Sequence, residues 1–122
     1  MNFSKNLVFI HGWGATANIF ETVFYYLKDE FNIYYFDLPG FGNTPIEKVM
    51  TLKDYADFVY KFLEENNIKE PIIIGHSFGG AIAVKLTLLH PENISKLILV
   101  SASAIRQPRH KIMLIKKIAD FI

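Results

Sequence analysis

The sequence predicts an α/β fold, in which a parallel sheet of about four strands carries helices on both faces. Four short apolar runs alternate along the chain with four segments that have the hydrophobic period of a helix. The runs are continuous rather than alternating in polarity, which is typical of parallel strands covered on both faces. This alternating β-α order indicates right-handed crossovers between the strands.

The predicted elements follow a β-α-β-α-β-α-β-α order without repeats or a linker. The predicted strands are Leu7–Ile10, Ile33–Phe36, Ile72–Ile74 and Leu97–Val100. The predicted helices span about 18–30, 51–66, 78–89 and 108–121.

Each helical segment has its own signal. The first carries an apolar stripe at helical spacing, made of Phe20, Val23, Phe24 and Leu27. The second opens with Thr51 and Asp54, which form a capping-box pattern. Its predicted buried stripe is Leu52, Tyr55, Ala56, Val59, Phe62 and Leu63. The third is apolar nearly all round, which predicts burial, and it ends before Pro91 because the residue preceding a proline resists the helical region.

Composition favours one globular domain. The chain has 122 residues, of which 51% are hydrophobic and 20% are charged. No cysteine is present, which excludes disulfides and thiolate metal sites and favours a cytoplasmic setting. The run Leu7–Ile10 is too short for a signal peptide or a membrane span. Residues 105–122 hold five basic residues against one acid, whereas the remainder is net negative and has no basic stripe, so nucleic-acid binding is not predicted.

A glycine motif follows the first predicted strand and has two interpretations. Gly12–Ala17 reads Gly-Trp-Gly-Ala-Thr-Ala, which fits a dinucleotide-binding fingerprint, and Asp37 lies where a ribose-binding acid is expected. A bulky Trp13, where backbone must approach phosphate, weakens that interpretation. It also leaves the later Pro39–Gly42 motif unexplained.

A second motif, Gly75-His76-Ser77-Phe78-Gly79, lies between a predicted strand and a predicted helix. This context is the one that a G-x-S-x-G nucleophile elbow requires. The sharp turn presents the Ser77 hydroxyl at the carboxyl edge of the sheet. The glycines two residues to either side avoid collisions with the neighbouring strand and helix. A phosphate-binding loop is not indicated, because no Gly-Lys-Ser/Thr follows.

Three blocks together resemble the N-terminal half of the α/β-hydrolase fold family, in matching order and spacing. They begin at His11 with His-Gly-Trp-Gly, at Asp37 with Asp-Leu-Pro-Gly-Phe-Gly, and at Gly75 with Gly-His-Ser-Phe-Gly-Gly. The chain looks most similar to small carboxylesterases of the pimeloyl-acyl-carrier-protein methyl ester esterase group. The resemblance implies a partial α/β-hydrolase fold with the strand order second, first, third, fourth.

The resemblance also implies roles for individual residues. Ser77 is expected to be the nucleophile of an acyl-serine mechanism, and the backbone N–H groups of Trp13 and Phe78 to form the oxyanion hole. Residues expected to shape the elbow and its loops are Gly75, Gly79, His11, Gly12, Gly40 and Gly42, while Asp37 and His11 are structural in this family. The expected substrate is a small-molecule carboxylic ester, with no cofactor and no metal. An apolar rim of Trp13, Phe41 and Phe78 would favour an acyl or aromatic group.

The triad acid and base are not identifiable in this chain. The family places them after the nucleophile, where the candidates are His90, Glu92, His110 and Asp120. The twelve residues of 78–89 rise about 18 Å as a helix, which puts His90 and Glu92 at the opposite edge of the sheet. His110 returns to the correct edge but has no acid before it that could orient it.

We therefore expect residues 1–122 to be the N-terminal part of an α/β-hydrolase domain, with 105–122 as the start of its lid. Such a chain would be truncated, inactive alone and completed by a missing C-terminal half. A non-catalytic or split-protein module is the alternative from another functional class.

Overall fold

A computed structural model describes residues 3–103. Their strands are β1 (Asn6–Ile10), β2 (Asn32–Tyr35), β3 (Ile72–His76) and β4 (Lys96–Val100). All pairings are parallel, and the order across the sheet is β2-β1-β3-β4. The predicted fold class and strand order are therefore confirmed.

The helices are α1 (Glu21–Leu27), α2 (Leu52–Glu65) and α3 (Phe78–Leu89), with short 3-10 helices at Ala17–Phe20 and Pro91–Asn93. The first predicted helix is thus shorter than expected and begins as a 3-10 turn. Val23 was expected in its buried stripe, and that prediction is wrong, because Val23 is 42% exposed. Two turns of helix bury a narrow line at i, i+4 and i+7, which contains Phe20, Phe24 and Leu27 but not Val23.

The capping box that starts α2 is present as predicted. The Thr51 side chain accepts a hydrogen bond from the Asp54 N–H at 3.1 Å, and the Asp54 carboxylate accepts one from the Thr51 N–H at 2.9 Å. Two N–H groups that a helix start leaves unpaired are satisfied in this way. The cap sets the start of α2, whose buried stripe includes Tyr55 next to the site described below.

Helices pack on both faces of the sheet, as predicted, but within residues 3–103 Ile98 and Val100 of the edge strand β4 remain exposed. Alternate residues of one strand point to opposite faces. Val8, Ile10 and Ile73 therefore pack with α2 and α3 in one core. Leu7, Phe9, Ile72 and Ile74 pack with Phe20, Phe24 and Leu27 in the other. The first two turns of α3 are largely buried, as its composition predicts, whereas Leu88 and Leu89 near its end are exposed.

The parallel strands bring their carboxyl ends to one edge, where the loops after β1, β2, β3 and β4 meet. Ile10 pairs with Gly75, and His76 pairs with Val100, so the segments that follow these strands are neighbours. The predicted helix 108–121 and the predicted lid region 105–122 lie outside the described residues. Within residues 3–103, no helix is long and apolar enough to cross a membrane.

Candidate active site

Ser77 occupies the turn between β3 and α3, at the carboxyl edge of the sheet. Its backbone has φ 53° and ψ −119°, a left-handed conformation that residues with a side chain rarely adopt. Its N–H donates to the carbonyl oxygen of Val100 at 3.1 Å. Its carbonyl oxygen accepts hydrogen bonds from the N–H groups of Gly80 at 2.9 Å and Ser103 at 3.1 Å. These three bonds hold the strained turn and fix where the serine side chain emerges.

The glycines two positions before and after Ser77 have no room for a side chain. A Cβ on Gly75 would lie 2.5 Å from the carbonyl oxygen of Gly79. A Cβ on Gly79 would overlap the carbonyl oxygen of Ile10 and lie 2.5 Å from that of His11. Because these neighbours are backbone atoms, they cannot move aside as a flexible side chain would. β1, β3 and α3 therefore approach one another here through glycine.

Gly12 lies directly against the Ser77 side chain. A Cβ on Gly12 would lie 2.9 Å from the Ser77 Cβ and 3.4 Å from its Oγ. It would also lie 3.3 Å from the carbonyl oxygen of His76. The loop after β1 thus presents bare backbone to the serine hydroxyl, and Trp13 follows immediately in that loop.

His11 is fully buried, and both of its ring nitrogens are engaged. The Leu38 N–H donates to His11 Nε2 at 2.9 Å, so Nε2 must be the acceptor nitrogen of a neutral ring. Nδ1 then carries the proton and donates it to the carbonyl oxygen of Gly12 at 2.7 Å. His11 therefore links the loop after β1 to the loop after β2, and neither nitrogen is free to take a proton from Ser77.

Asp37 connects the same loops through its carboxylate. Its oxygens accept hydrogen bonds from the N–H groups of Ala17 at 3.0 Å and Asn43 at 3.1 Å. The bond from Ala17 is the largest influence holding the pKa of Asp37 below its usual range, with a smaller contribution from Asn43, and partial burial opposes both. The dinucleotide interpretation of Gly12–Ala17 and Asp37 is not favoured, because this carboxylate is already occupied by the protein's own backbone.

The turn after β2 places a ring next to the site. Gly40 has φ 91° and Gly42 has φ 53°, which are conformations that glycine adopts at low cost. A Cβ on Gly42 would also overlap the carboxylate of Asp37. This turn holds the Phe41 ring 5.7 Å from the His11 ring and 5.1 Å from the Trp13 ring, both edge-on.

Trp13, Tyr55 and Phe78 line one cavity with Ser77, and their rings contact one another. The Phe78 ring lies 5.5 Å from that of Trp13 and 5.3 Å from that of Tyr55, again edge-on. The Tyr55 hydroxyl donates to the carbonyl oxygen of Pro39 at 3.2 Å, and burial raises the pKa of this phenol. Of the predicted apolar rim, Trp13 and Phe78 line this cavity, whereas Phe41 contacts Trp13 from outside the lining. The sequence does not predict the place of Tyr55, because a position on the buried stripe of α2 indicates only packing against the core.

A cavity of about 600 Å³ opens beside Ser77. Its lining residues are Trp13, Ile46, Val49, Met50, Tyr55, Ser77, Phe78 and Ser103. This volume is within the usual range of small-molecule sites. The sequence does not predict that residues 46–50 and Ser103 line this cavity. They lie outside the helices and strands, so no hydrophobic periodicity indicates which side chains face inward. A smaller hollow of about 180 Å³ lies by Tyr60 and Glu92, beyond the end of α3.

The other described histidines make no hydrogen bond with Ser77. His76 lies within β3 beside it in the sequence, and its Nδ1 is buried without a partner among residues 3–103. His90 is the C-cap residue of α3, and its ring centroid lies 3.6 Å from that of Tyr60. His90 is therefore at the opposite end of α3 from Ser77, as expected. His110 and Asp120 lie outside the described residues. Sequence and structure therefore bring no triad base to Ser77 within residues 3–103.

Metal-ligating side chains do not converge on this site. Among residues 3–103, no group of three or more His, Cys, Asp or Glu side chains is arranged to hold a metal ion. The features of this site that could take part in a reaction are the Ser77 hydroxyl at a strained turn, the bare backbone of Gly12 beside it and the apolar cavity in front of it.

Comparisons with known proteins agree with this geometry. The alpha/beta hydrolase fold family matches residues 5–120. A pimeloyl-[acyl-carrier protein] methyl ester esterase of Proteus mirabilis is 37% identical over 98 residues, covering 80% of this chain and 36% of the relative. The enzyme of that name from Pseudoalteromonas atlantica is 37% identical over 100 residues, covering 80% of this chain and 37% of the relative.

A solved structure shows the same fold. A marine microorganism esterase superposes with a TM-score of 0.80 at 28% identity, covering 93% of this chain and 44% of that one. The chain thus spans somewhat more than a third of the length of the curated relatives it matches. The similarity to hydrolases and the serine turn with its glycine contacts lead to one conclusion: the chain belongs to the α/β hydrolase fold family.

Proposed function

We propose that Ser77 is the nucleophile of a serine esterase that cleaves small-molecule carboxylic esters through an acyl-serine intermediate. The observation that carries this proposal is the strained Ser77 turn, with φ 53°, facing the bare backbone of Gly12. Strain of this kind costs on the order of 1–3 kcal/mol and persists where surrounding structure imposes it. The esterase names of the relatives supply the substrate class.

The reaction has two steps that share one enzyme oxygen. Ser77 Oγ attacks the ester carbonyl carbon while a base accepts the hydroxyl proton, and the carbonyl oxygen becomes an oxyanion. The C–O bond to the alcohol then breaks, and the alcohol leaves with the proton from the protonated base. Water attacks the acyl-serine in the same manner, releasing the carboxylic acid and restoring the Ser77 hydroxyl.

The backbone N–H groups of Phe78 and Trp13 are our candidates for the oxyanion hole. Phe78 is the first residue of α3, so no carbonyl within that helix accepts its N–H. The same helix terminus carries a partial positive charge that favours an anion. Trp13 directly follows Gly12, the residue in contact with the Ser77 side chain. Each such donor is worth about 3–4 kcal/mol of transition-state stabilisation in serine hydrolases.

We place the triad base and acid outside residues 3–103. His11 is engaged by Leu38 and Gly12, and His90 lies at the far end of α3. Because the relatives are much longer than this chain, a polypeptide equivalent to their remaining part is the natural source of both groups. His110 is the candidate base within this chain. On this proposal, the 122-residue chain alone turns over esters poorly or not at all.

A fluorophosphonate probe tests the nucleophile directly, because it phosphonylates activated serines. The purified chain should be labelled slowly at Ser77, and free imidazole should accelerate the labelling by acting as the missing base. Peptide mapping identifies the labelled residue. Ser77→Ala removes the predicted site, and Ser103→Ala is the matched control, since Ser103 lines the same cavity.

The outcomes separate the parts of the proposal. Labelling that is lost in Ser77→Ala and kept in Ser103→Ala supports Ser77 as the nucleophile. Fast labelling without imidazole would assign the base to this chain and make His110 the first residue to substitute. If a folded chain is not labelled at Ser77 with or without imidazole, the nucleophile proposal is wrong and a non-catalytic module becomes the better explanation.

A further inference from the structure

We propose that the Tyr55 hydroxyl is a positioning group for the oxyanion hole, because it fixes the place of Trp13, whose N–H is one of the two candidate donors. This inference rests on the proposed function, since an oxyanion hole has a use only if Ser77 attacks a carbonyl carbon. It adds a residue of α2 to an oxyanion hole whose donors lie in the segments that follow β1 and β3.

Trp13 needs contacts outside its own loop to hold a fixed position. The residue is 69% exposed, and its loop contains Gly14, which has a positive φ of 73° and free space around it. Among residues 3–103, the aromatic rings in contact with that of Trp13 are Phe41 at 5.1 Å and Phe78 at 5.5 Å. Surface loops are mobile where packing does not restrain them, so these two rings select the conformation that places the Trp13 N–H.

Tyr55 is linked to both of the rings that contact Trp13. Its own ring lies edge-on to that of Phe78, with 5.3 Å between the centroids. Its hydroxyl donates to the carbonyl oxygen of Pro39 at 3.2 Å, and Pro39 lies two residues before Phe41. Tyr55 is thus the side chain that joins the two ring neighbours of Trp13 to each other.

The turn after β2 connects the Tyr55 hydrogen bond to Phe41. The Phe41 N–H donates to the carbonyl oxygen of Leu38 at 2.9 Å, which closes the turn around Pro39. A displacement of Pro39 therefore moves Phe41 with it. The contacts form a closed set, which we call the Trp13 circuit: Tyr55 to Phe78, Phe78 to Trp13, Trp13 to Phe41, and Pro39 back to Tyr55.

Tyr55 itself is held in place by the start of α2. It is 4% exposed, and its N–H donates to the carbonyl oxygen of Thr51 at 3.1 Å. Thr51 is the N-cap residue, and the capping box with Asp54 fixes it in turn. The Trp13 circuit is therefore attached to a capped helix that packs in the core.

The hydroxyl of Tyr55 acts on the Trp13 circuit and not on the reacting atoms. The other buried residues of α2 are Ala56, Val59 and Leu63, which carry no polar group. A buried hydroxyl costs free energy unless it is hydrogen-bonded, and a phenol has one proton to donate. Burial raises the pKa of Tyr55, which keeps the phenol protonated at neutral pH. Because its proton is directed at Pro39, Tyr55 is a positioning residue.

Tyr55→Phe removes the hydroxyl and keeps the ring, so it tests the link to Pro39 alone. At a fixed imidazole concentration, the maximal rate of fluorophosphonate labelling at Ser77 should fall about threefold to tenfold. The probe concentration that gives half of this rate should stay within about twofold, because misplaced donors affect the transition state more than binding. The phosphorus NMR resonance of the Ser77 adduct should also shift, since its phosphonyl oxygen then meets displaced donors.

Two control variants on α2 separate positioning from a general loss of stability. Tyr60→Phe removes a hydroxyl from a half-buried ring that stacks on His90, at the opposite end of α3 from Ser77. Val59→Ala removes buried volume from the same stripe as Tyr55 and lowers stability without removing a hydrogen bond. At a temperature where circular dichroism shows every chain folded, both should label within about twofold of the native rate, with an unchanged phosphorus resonance.

Trp13 fluorescence measures the same link without any reaction at Ser77. Trp13 is the single tryptophan of the sequence, so its emission reports one ring. Time-resolved anisotropy should show greater motion of this ring in Tyr55→Phe than in the native chain or in Tyr60→Phe.

The outcomes separate this inference from the proposed function. Native rates and resonance in Tyr55→Phe, equal slowing in Val59→Ala or Tyr60→Phe, or unchanged Trp13 motion would each overturn the inference and leave Ser77 as the nucleophile. Absence of labelling at Ser77 in the folded native chain would instead overturn the proposed function, and the oxyanion hole with it.

Discussion

Gly12 and Ser77 lie so close together that a single methyl group on Gly12 would reach the serine side chain. The added carbon would lie 2.9 Å from Ser77 Cβ and 3.4 Å from Ser77 Oγ. The two residues are in different loops, after β1 and β3, and these strands pair directly in the sheet. The pairing of β1 with β3 thus places Gly12 opposite the Ser77 hydroxyl. A side chain added at Gly12 would meet Ser77 as its nearest neighbour.

Gly12→Ala should slow fluorophosphonate labelling of Ser77 by about tenfold or more in the presence of imidazole. The added methyl group displaces the hydroxyl or the loop that faces it, and a displacement near 1 Å is enough for such a loss. Labelling rates on variants with unchanged circular dichroism provide the measurement. Gly14→Ala is the control, because Gly14 shares the loop and has a positive φ of 73° but has free space around it. Equal slowing in both variants would mean that loop strain, and not contact with Ser77, is responsible.

His11→Phe should lower the free energy of unfolding by about 2–4 kcal/mol, although it keeps an aromatic ring in place. The substitution leaves the Leu38 N–H and the Gly12 carbonyl oxygen buried without their partner, and each such loss costs about 1–3 kcal/mol. Urea denaturation measures the change. His90→Phe, at a half-buried ring that makes no hydrogen bond within residues 3–103, should cost less than about 1 kcal/mol.

The same structure predicts the tautomer of His11. Long-range proton–nitrogen NMR should show Nδ1 protonated and Nε2 bare in the folded chain. A proton on Nε2 would contradict the Leu38 hydrogen bond and would return His11 to the set of possible bases. This measurement is independent of stability, so it separates a structural role of His11 from a role as a base.

The strands and the strand order could be predicted because they depend on local patterns and on one family resemblance. Continuous apolar runs mark the parallel strands, of which β1 and β3 are buried while the edge strands β2 and β4 are partly exposed. Thr51 with Asp54 marks a helix start within four residues of sequence. The predicted burial of Val23 is wrong because the buried stripe of a two-turn helix is narrow. Spacing alone does not decide which neighbour of Phe24 faces the sheet.

The sequence predicts only the part of the site whose backbone geometry requires glycine. Ser77 stands out because glycines are needed on both sides of it, and this requirement is visible as a motif. The wall of the cavity is not visible in that way. Ile46 and Val49 follow no repeating pattern, and Ile46 packs over Gly40, which is a contact between loop residues.

Gly79→Ala and Gly80→Ala should both destabilise the chain, and only one should be rescued by a second substitution. At Gly80 the added methyl group would overlap the Cβ of Ala102, so Ala102→Gly should restore part of a loss of about 2 kcal/mol. At Gly79 the obstacles are the carbonyl oxygens of Ile10 and His11, which no side-chain change removes. A double-mutant cycle by urea denaturation measures the coupling. Coupling between Gly79 and Ala102 as large as that between Gly80 and Ala102 would contradict this explanation.

Asp37 should make the stability of the chain depend on acid. Because hydrogen bonds, above all that from Ala17, lower its pKa in the folded state, its contribution is complete above its unfolded pKa of about 3.9. That contribution is lost as the pH falls through the lowered folded value, since protonation then removes the acceptor charge. The unfolding free energy should therefore fall less steeply below about pH 4 in Asp37→Asn than in the native sequence. Parallel slopes in the two chains would show that Asp37 is not the group responsible.

Ser77→Gly should raise the free energy of unfolding by about 1 kcal/mol. Ser77 has φ 53°, and a non-glycine residue in such a conformation costs on the order of 1–3 kcal/mol. Glycine removes that cost but loses about 0.5–1 kcal/mol through the greater freedom of its unfolded chain, so a modest net gain remains.

Ser77→Ala separates backbone strain from loss of the hydroxyl. Alanine keeps a Cβ in the strained turn, so it should give little of the gain that glycine gives, and urea denaturation of the three chains measures both. A gain in Ser77→Gly that is absent in Ser77→Ala would mean that the fold tolerates a destabilising turn in order to present a side chain at this point. Equal stability of all three chains would remove strain from the argument for Ser77 and leave the proposal to depend on its chemistry alone.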